Sequence, residues 1–291
     1  MAVKLSVCIP TYNQTEFLRK TLQSLLEQHY RDFEIIISDD SSTNVVHDLV
    51  QEMLSNSHLT VRYHKNEKAL GSPANWNKSV SLASGEWIKF LHHDDWLADA
   101  HSLQTWVSVA EQHPEADVLF CVSSILNVAE QRYTENRPDD DFLKALRHSP
   151  TVLFNNNRIG SPSATMFRIR SFVPFDTHLT YLVDVDFYMA LLSNNPRFVF
   201  IPEALIVNTS NHPGQVTSAS INKLTQVGEY CYLYNKVFKG ATPDASYRRF
   251  FKDLFAWYQL KNFKELETAG YPRPQPTFVF NWLLWRANRR W

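Results

Sequence analysis

Glycine is scarce in this chain, with 7 among 291 residues. None follows the first apolar strand, where Pro10, Thr11, Tyr12 and Asn13 stand instead. Dinucleotide-binding and P-loop proteins need glycine at that point, because their backbone amides approach phosphate closely. The sequence therefore disfavours a Rossmann dehydrogenase, a P-loop enzyme and a nucleotidyltransferase with a glycine-rich loop.

Cysteine, net charge and long apolar runs are scarce as well. Cys8, Cys121 and Cys231 are far apart and lack metal-ligand spacing, which favours buried free thiols in a reducing compartment. A formal net charge of -1 gives no reason to expect a nucleic-acid partner. No apolar run reaches the roughly 18 residues of a membrane span, and the N-terminus lacks the apolar core of a signal peptide. We expect a cytoplasmic protein whose membrane contact, if any, is peripheral and on the inner face of the plasma membrane.

Short apolar strands alternate with helical periodicity over the first part of the chain. The predicted strands are 5–9, 33–37, 59–63, 87–91 and 118–122, and helices are predicted from Thr15, over 73–83 and from about 99. This alternation predicts an α/β fold in which helices cover both faces of a mainly parallel central sheet. In such sheets a ligand lies outside the carboxyl ends of the strands.

The segment WIKFLHHDDW is the most informative one, since an apolar strand ends there in two histidines and two aspartates. Adjacent carboxylates at the tip of a buried strand repel each other and lose hydration, so a cation or a proton is needed to neutralise them. We therefore predict a metal and diphosphate site at Asp94 and Asp95. The strand-end rule brings Thr11, Asp39 and Asp40 to the same edge, which predicts a crevice lined with acid.

Five segments resemble the family 2 inverting glycosyltransferases, in the order and approximate spacing of that family. They are CIPTYNQTEFLRKTLQSLLEQHYRDFEIIISDDSS, LGSPANWNKSVSLASGEWIKFLHHDDWL, GSPSATMFR, YLVDVDFYMALL and FIPEALIVNTSNHPGQVT, within about residues 3–217. The resemblance implies a GT-A fold with a Rossmann-like nucleotide-binding half. It divides the chain into a nucleotide-sugar-binding half at 1–115, an acceptor-side half at 116–217 and a C-terminal helical extension at 218–291.

The resemblance also implies a nucleotide-sugar site. Thr11 and Asp40 match residues that hold the nucleobase and ribose, and a carboxylate suits this role because it accepts hydrogen bonds from an imide or from sugar hydroxyls. The other residues of the implied site are Pro10, Tyr12, Asn13, Asp39, Asn77, His93 and Asp94. The alternative is that Asp39 and Asp40 only cap the following helix.

The metal motif of the family, two aspartates separated by one residue, aligns here with His92, His93 and Asp94. Asp94 matches the residue that binds the ion, whereas His92 would donate to the diphosphate, bind the metal or only pack. His93 is expected to be mainly structural, and Asp95 to bind the metal through water or to cap the turn before Trp96. The cofactor would be Mn²⁺ or Mg²⁺, and a histidine in the set predicts better activity with Mn²⁺, which tolerates imidazole better.

Asp184 aligns with the catalytic base of the family, which takes the proton from the acceptor hydroxyl. Asp186 would orient the acceptor or be structural, and both aspartates could simply be helix-start residues favoured by the helix dipole. The arginine often found six positions after the base is replaced here by Ala190. Gly160 and Ser161 resemble the loop on the acceptor side, with a tight turn as the alternative.

Three segments outside the strand tips carry further predictions. Residues 211–215 match a loop that closes over the diphosphate, where His212 would contact the donor or the metal, or serve only in a surface turn. Residues 127–158, with the acidic run 139–141, show no clear period and are interpreted as an irregular insertion on the acceptor side or a solvated excursion. The C-terminal FVFNWLLWRANRRW suits either an interfacial helix at an anionic leaflet or a packed terminus.

The sequence thus predicts a glycosyltransferase that moves a sugar, with inversion, from a nucleotide-diphosphate donor to a hydroxyl of a saccharide or lipid-linked saccharide. A UDP- or dTDP-type donor is favoured, and cell-surface polysaccharide synthesis is the expected setting. One alternative is a catalytically silent sugar-nucleotide-binding protein, to which His92 and Ala190 point. A nucleotidyltransferase is the other, although it should show the glycine-rich loop that this chain lacks.

Overall fold

The computed structural model describes residues 5–212 and 222–289. The chain divides into two compact units, which are residues 1–177 with 183–215 and residues 178–182 with 216–291. Each unit has its own elements and its own buried residues. The sequence-based domain boundary after residue 217 stays a prediction.

The first unit is built on a sheet that has nine strands within the described residues. The strands are β1 Leu5–Thr11, β2 Phe33–Asp39, β3 Thr60–Lys65, β4 Trp87–Phe90, β5 Trp96–Leu97, β6 Val118–Asn127, β7 Arg132–Asn136, β8 Thr165–Arg168 and β9 Phe198–Ser210. The helices are α1 Glu16–Leu26, α2 Val45–Leu54, α3 Ala74–Ser81, α4 Ser102–Gln112, α5 Asp140–His148 and α6 Val183–Asn194, with 3₁₀ turns at Pro150–Phe154, Pro162–Ala164 and Ile169–Ser171. Helices alternate with strands as the sequence predicts.

The sheet is mixed, with strand order β3-β2-β1-β4-β8-β6-β9-β5 and β7 beside β6. β3, β2, β1 and β4 are parallel, as expected from their connecting helices. β8 runs antiparallel between β4 and β6, and β5 and β7 also pair in antiparallel fashion. The parallel half therefore gathers the carboxyl ends of β1, β2 and β4 at one edge.

Continuous apolar runs explain why the parallel strands lie in the middle of the structure. Every residue of β1, β2 and β4 is buried, and the apolar face of α1 covers them with Leu18, Leu22 and Leu25. The free thiols of Cys8 on β1 and Cys121 on β6 are buried, as expected. The edge where the strands end is thus held on a rigid core.

Residues 127–158 form regular structure over much of their length, although their sequence shows no clear period. The segment contains β7, α5 and a 3₁₀ turn. Asp139 caps α5, because its Oδ1 accepts a hydrogen bond from the amide of Phe142 at 2.8 Å. Phe142, Leu143 and Leu146 form the buried face of that helix, which is too short to show a clear period beside its polar flanks.

The second unit contains the C-terminal helices that the sequence predicts. They are α7 Lys223–Phe238, α8 Ala245–Trp257, α9 Lys264–Thr268 and α10 Thr277–Asn288. Tyr234 on α7 makes edge-to-face contacts with Phe251 and Phe280, at centroid distances of 5.3 Å each, so aromatic packing joins three of the helices. Within the described ranges, no helix has both the length and the apolarity to cross a membrane.

Candidate active site

A cluster of possible metal ligands follows β4 directly. One ligand atom from each of His92, Asp94 and Asp95 lies within 4.8 Å of the others. The strand ends at Phe90, and a turn, in which the Asp95 amide donates to the His92 carbonyl at 3.1 Å, brings the three side chains together. Alternation along a strand would place only His92 and Asp94 on one side, and the turn brings Asp95 beside them. The three residues could hold a divalent cation.

The two carboxylates of this cluster have opposite environments. Burial and the charge of Asp94 raise the pKa of Asp95 to about 7, even though Asn208 Nδ2 donates to its Oδ2 at 2.7 Å and the Thr209 amide donates to its Oδ1 at 3.1 Å. Burial also acts to raise the pKa of Asp94, but a hydrogen bond with His212 and the nearby histidines hold it at about 2. Two buried carboxylates this close keep one negative charge between them unless a cation is present.

His92 is a neutral imidazole packed against aromatic rings. Its ring lies 4.7 Å from that of Trp76 and 5.3 Å from that of Phe90, and burial lowers its pKa to about 4. Its Nδ1 lies 3.8 Å from Oδ2 of Asp95, and its buried Nε2 has no hydrogen-bond partner in the described part of the chain. The packing role expected for His92 is thus observed. Its Nε2 could in addition bind a metal ion or form a hydrogen bond with a ligand.

The other histidines near the turn differ in their contacts. Nδ1 of His93 lies 3.2 Å from the carbonyl of Pro10, which ties the turn to β1. His212 is buried, packs 4.5 Å from the ring of Phe17 and places Nε2 3.1 Å from Oδ2 of Asp94. The structure thereby brings His212 to the cluster, as the resemblance implied. Pro213, Gly214 and Gln215, the rest of the expected loop, lie outside the described residues.

Asp39 at the end of β2 is engaged inside the fold. Its Oδ1 accepts from the Thr11 hydroxyl at 3.2 Å and from the Ser41 amide at 2.8 Å, and its Oδ2 accepts from the Tyr63 hydroxyl at 2.6 Å. Burial and this hydrogen bond raise the pKa of Tyr63. The N-cap of α2 is Asn44, so the helix-capping alternative for the aspartate pair was wrong.

Asp40 joins the tip of β2 to the loop before α3. Its Oδ1 accepts from the side chain of Asn66 at 2.6 Å, and its Oδ2 accepts from the amides of Leu70 and Gly71 at 3.1 and 2.8 Å. Tyr12 is 57% exposed beside this edge. The predicted nucleotide site thus contains buried acceptors and one exposed ring.

Neighbouring polar side chains hold the nucleotide edge together. Asn13 has a positive φ of 51°, and its backbone N–H donates to Ser41 Oγ at 2.7 Å. Asn75 donates to the carbonyls of Thr11 and Ser38, at 3.3 and 3.0 Å. Asn77, predicted to bind the donor, forms two hydrogen bonds with the backbone of Phe175. Its Nδ2 donates to the carbonyl at 2.9 Å, and its Oδ1 accepts from the amide at 2.8 Å. The sequence analysis missed Asn75 as the residue that joins the strand ends.

Asp184 lies on the first turn of α6. Its Oδ2 accepts from Asn157 Nδ2 at 2.8 Å and its Oδ1 from the amide of Val185 at 2.8 Å. Asp186, on the same turn, is buried. The helix-start geometry that served as the alternative is therefore present for both aspartates, and Asp184 also accepts a hydrogen bond from Asn157.

Gly160 and Ser161 lie between the two groups of carboxylates. Asn157 accepts from the Gly160 amide at 3.2 Å, while Ser161 Oγ accepts from Asn208 Nδ2 at 2.8 Å. Because Asn208 also donates to Asp95, hydrogen bonds and one peptide link connect the cation cluster to Asp184. Gly160 has a φ of +93°, and an added Cβ would lie 2.7 Å from Asn136 Nδ2, so the backbone at this position favours glycine.

Two residues beside the cluster carry no distinguishing signal in the sequence. Lys89 is fully buried, burial lowers its pKa to about 8, and it donates to the carbonyls of Ser163 and Thr165. Ser163, which belongs to the segment that resembles the acceptor-side loop, accepts at Oγ from the His92 amide at 2.9 Å. Thr21 on α1 donates to the Asp95 carbonyl at 2.7 Å. Lysine in a strand and threonine in a helix are common, so only the three-dimensional contacts reveal the roles of Lys89 and Thr21.

Comparisons with known proteins indicate the family of the chain. Residues 6–173 match the family model for glycosyl transferase family 2. A protein of Mycobacterium tuberculosis with no assigned activity is 33% identical over 216 residues, which are 70% of this chain and 66% of the relative. The GalNAc(5)-diNAcBac-PP-undecaprenol beta-1,3-glucosyltransferase of Campylobacter jejuni is 37% identical over 95 residues, which are 32% of this chain and 30% of the relative. The chain thus spans less than two thirds of the length of each of these two relatives.

A solved structure is similar over most of the chain. The 1–349 fragment of TarS from Staphylococcus aureus, in complex with UDP-GlcNAc, has a TM-score of 0.65 and 21% identity, and the match covers 92% of this chain and 74% of that chain. At this identity the likeness shows the fold. It confirms the GT-A type of α/β fold that the sequence predicted.

Proposed function

The chain belongs to glycosyl transferase family 2, and on that premise we propose that it moves a sugar from a nucleotide-diphosphate donor to an acceptor hydroxyl with inversion. The observation that carries the proposal is the hydrogen-bonded path from the cluster of His92, Asp94 and Asp95 to Asp184. The cluster at one end of the path could bind a cation, and the carboxylate of Asp184 at the other end could accept a proton. Metal-assisted inverting transfer would use both, because the base takes the proton of the acceptor while the cation takes up charge on the leaving diphosphate.

His92, Asp94 and Asp95, with His212 beside them, would hold Mn²⁺ or Mg²⁺. When bound, the ion would take up negative charge on the leaving diphosphate. The buried acceptor oxygens and the unpartnered Nε2 of His92 support the fit, since a cation would relieve the repulsion between Asp94 and Asp95. The mixed oxygen and nitrogen set favours Mn²⁺ over Mg²⁺.

Asp184 would act as the general base. It would accept the proton of the acceptor hydroxyl while the hydroxyl oxygen bonds to the anomeric carbon and the bond from that carbon to the diphosphate breaks. Asn157 fixes Oδ2 of Asp184 by donating to it. Gly160 and Ser161 would border the acceptor.

We place the nucleotide against the edge formed by β1 and β2. Pro10, Thr11, Tyr12 and Asn13 would line it, with Asp40 the better candidate of its pair for a sugar or base contact, because Asp39 has no exposed surface. The TarS complex with UDP-GlcNAc supports a UDP-type donor, and a dTDP-type donor has the same imide.

The acceptor is proposed to be a saccharide or a lipid-linked saccharide, in cell-surface polysaccharide synthesis. The undecaprenol-linked substrate in the name of the Campylobacter relative supports this class. The buried free thiols of Cys8, Cys121 and Cys231 suit a cytoplasmic setting.

We also propose peripheral membrane contact through α10. Phe278, Trp282 and Trp285 are exposed along one side of this helix, and Arg286 and Arg289 lie over the two tryptophan rings at 5.0 and 3.8 Å. Aromatic rings beside arginines suit an anionic lipid surface. The natural protein should sediment with anionic vesicles, and the double variant Trp282→Ser, Trp285→Ser should not. The control Tyr133→Ser, which alters an exposed ring in the other unit, should still sediment. Equal sedimentation of all three proteins would contradict the contact.

The experiment for the main proposal has two stages. Thermal shift with UDP, dTDP and other nucleotide diphosphates, with and without Mn²⁺, should show stabilisation that requires nucleotide and metal together. With the identified sugar donor, proton NMR of the product should show the inverted anomeric configuration, and Asp184→Asn should bind donor without turnover. A retained configuration, or full turnover by Asp184→Asn, would overturn the proposal. Binding without turnover by the natural chain would instead indicate the silent binding protein.

A further inference from the structure

A buried glutamate of the second unit holds the chain just before α6. Glu229 on α7 has no exposed surface. Its Oε1 accepts from the amide of Thr180 at 2.7 Å, and its Oε2 accepts from the amides of Tyr181 and Leu182 at 2.9 and 2.8 Å. Three backbone donors that converge on one carboxylate make charge-assisted hydrogen bonds, which are stronger than bonds between neutral groups.

Ring contacts add to this attachment. His178 stacks on Tyr232 at 5.7 Å, and Tyr181 meets Tyr230 edge to face at 6.5 Å. The segment 178–182 therefore belongs to the helical unit, although the residues before and after it belong to the first unit. It is a short length of chain held at both its backbone and its side chains.

The sequence position of this segment gives the attachment a consequence for chemistry. Leu182, the last of the three donors, precedes Asp184 by two residues, and a chain of that length spans at most about 7 Å. Asp184 lies on the first turn of α6, so a change in the direction of the preceding chain would move its carboxylate. Displacement of a reacting group by about 1 Å can cost on the order of 10²-fold in rate.

We propose that Glu229 is a positioning residue for Asp184, acting through the amides of Thr180, Tyr181 and Leu182. This inference rests on the proposed function, in which Asp184 is the base. The glutamate would not touch the acceptor or the donor. Its effect would be on the rate of proton removal and not on donor binding.

Glu229→Gln tests the inference, because an amide has one acceptor oxygen and directs an NH₂ group at backbone donors. We expect kcat to fall by about 10- to 100-fold, with the KM and Kd of the donor within about two-fold. Hydrogen exchange at Thr180, Tyr181 and Leu182 should become faster. The matched control is Glu265→Gln, which removes a carboxylate that accepts from the amides of Lys261 and Asn262 in the same unit. It should leave kcat within about two-fold.

Each outcome decides between the two proposals. Faster exchange with unchanged kcat in Glu229→Gln would overturn the positioning role, even if Asp184→Asn is inactive. Full activity of Asp184→Asn would overturn the proposed base, whatever the exchange data show. Equal loss of kcat in Glu229→Gln and Glu265→Gln would mean a general effect of destabilising the unit and would also overturn the inference. If Glu229→Gln does not fold, Glu229→Asp keeps the charge with a shorter reach and should show a smaller loss of kcat with the same unchanged donor KM.

Discussion

Two pairs of adjacent aspartates stand at the ends of β2 and β4, the strands on either side of β1, and they differ in what surrounds them. Asp39 and Asp40 follow β2 and accept hydrogen bonds from hydroxyls, backbone amides and an asparagine. Asp94 and Asp95 follow β4 and face each other with His92. The same dipeptide at the same edge is therefore held by hydrogen bonds within the fold in one case and forms a candidate cation site in the other.

Hydrogen-bond donors are present at both pairs. The first pair accepts six hydrogen bonds from named groups. In the second pair Asp95 accepts from Asn208 and Thr209, and Asp94 contacts His212, yet burial and the charge of Asp94 raise the pKa of Asp95 to about 7. A buried acid whose pKa is raised by burial and by a specific charged neighbour is a candidate for a functional site.

The largest effect should come from Asp94→Asn. Loss of this charge should lower kcat by on the order of 10³-fold, since it weakens the hold on an ion that stabilises the leaving group. Mn²⁺ should also cease to enhance the thermal shift produced by UDP. Turnover within ten-fold of the natural protein would contradict a cation site at the second pair of aspartates, which would then be structural.

A smaller effect, of a different kind, should come from Asp39→Asn. The substitution turns an NH₂ group toward buried donors and should lower the free energy of unfolding by about 1–3 kcal/mol, as measured in urea. The folded fraction should keep kcat within about three-fold. A large loss of donor affinity without a loss of stability would show that Asp39 binds the nucleotide directly.

The smallest effect should come from His92→Asp, measured as the ratio of rates with Mn²⁺ and Mg²⁺. A set with one more oxygen ligand and one fewer imidazole suits Mg²⁺ better, so the ratio should fall roughly three-fold or more. His92→Asn, which removes the imidazole without adding a charge, is the control for the loss of packing on Trp76. An unchanged ratio in His92→Asp would mean that the imidazole only packs.

The sequence predicted the strands of the parallel half and the acid at their ends, because apolar runs and strand alternation are local signals. The order of β8 between β4 and β6 could not be predicted, since it depends on pairings between distant segments. Asn157 and Asn208 were missed because an asparagine in a loop or strand has no distinguishing local pattern. Glu229 was missed for the same reason, as its partners lie 47 to 49 residues away.

The resemblance to a family supplied what local patterns could not, namely the pairing of a metal region with Asp184. Its assignment of Asn77 to the donor is not supported by the contacts, which engage that side chain with Phe175. Its assignment of His212 gains support from the hydrogen bond to Asp94. Residue roles carried over by alignment thus need the hydrogen bonds of this chain to sort them.

Asn208 divides the two hydrogens of a single NH₂ group between Asp95 and Ser161. An aspartate at position 208 would place a third carboxyl group beside Asp94 and Asp95. It would also require the Ser161 hydroxyl to donate instead of accept, so the position favours a neutral donor of this length. One uncharged amide thereby sets the spacing between the cluster proposed to hold the cation and the loop proposed to border the acceptor.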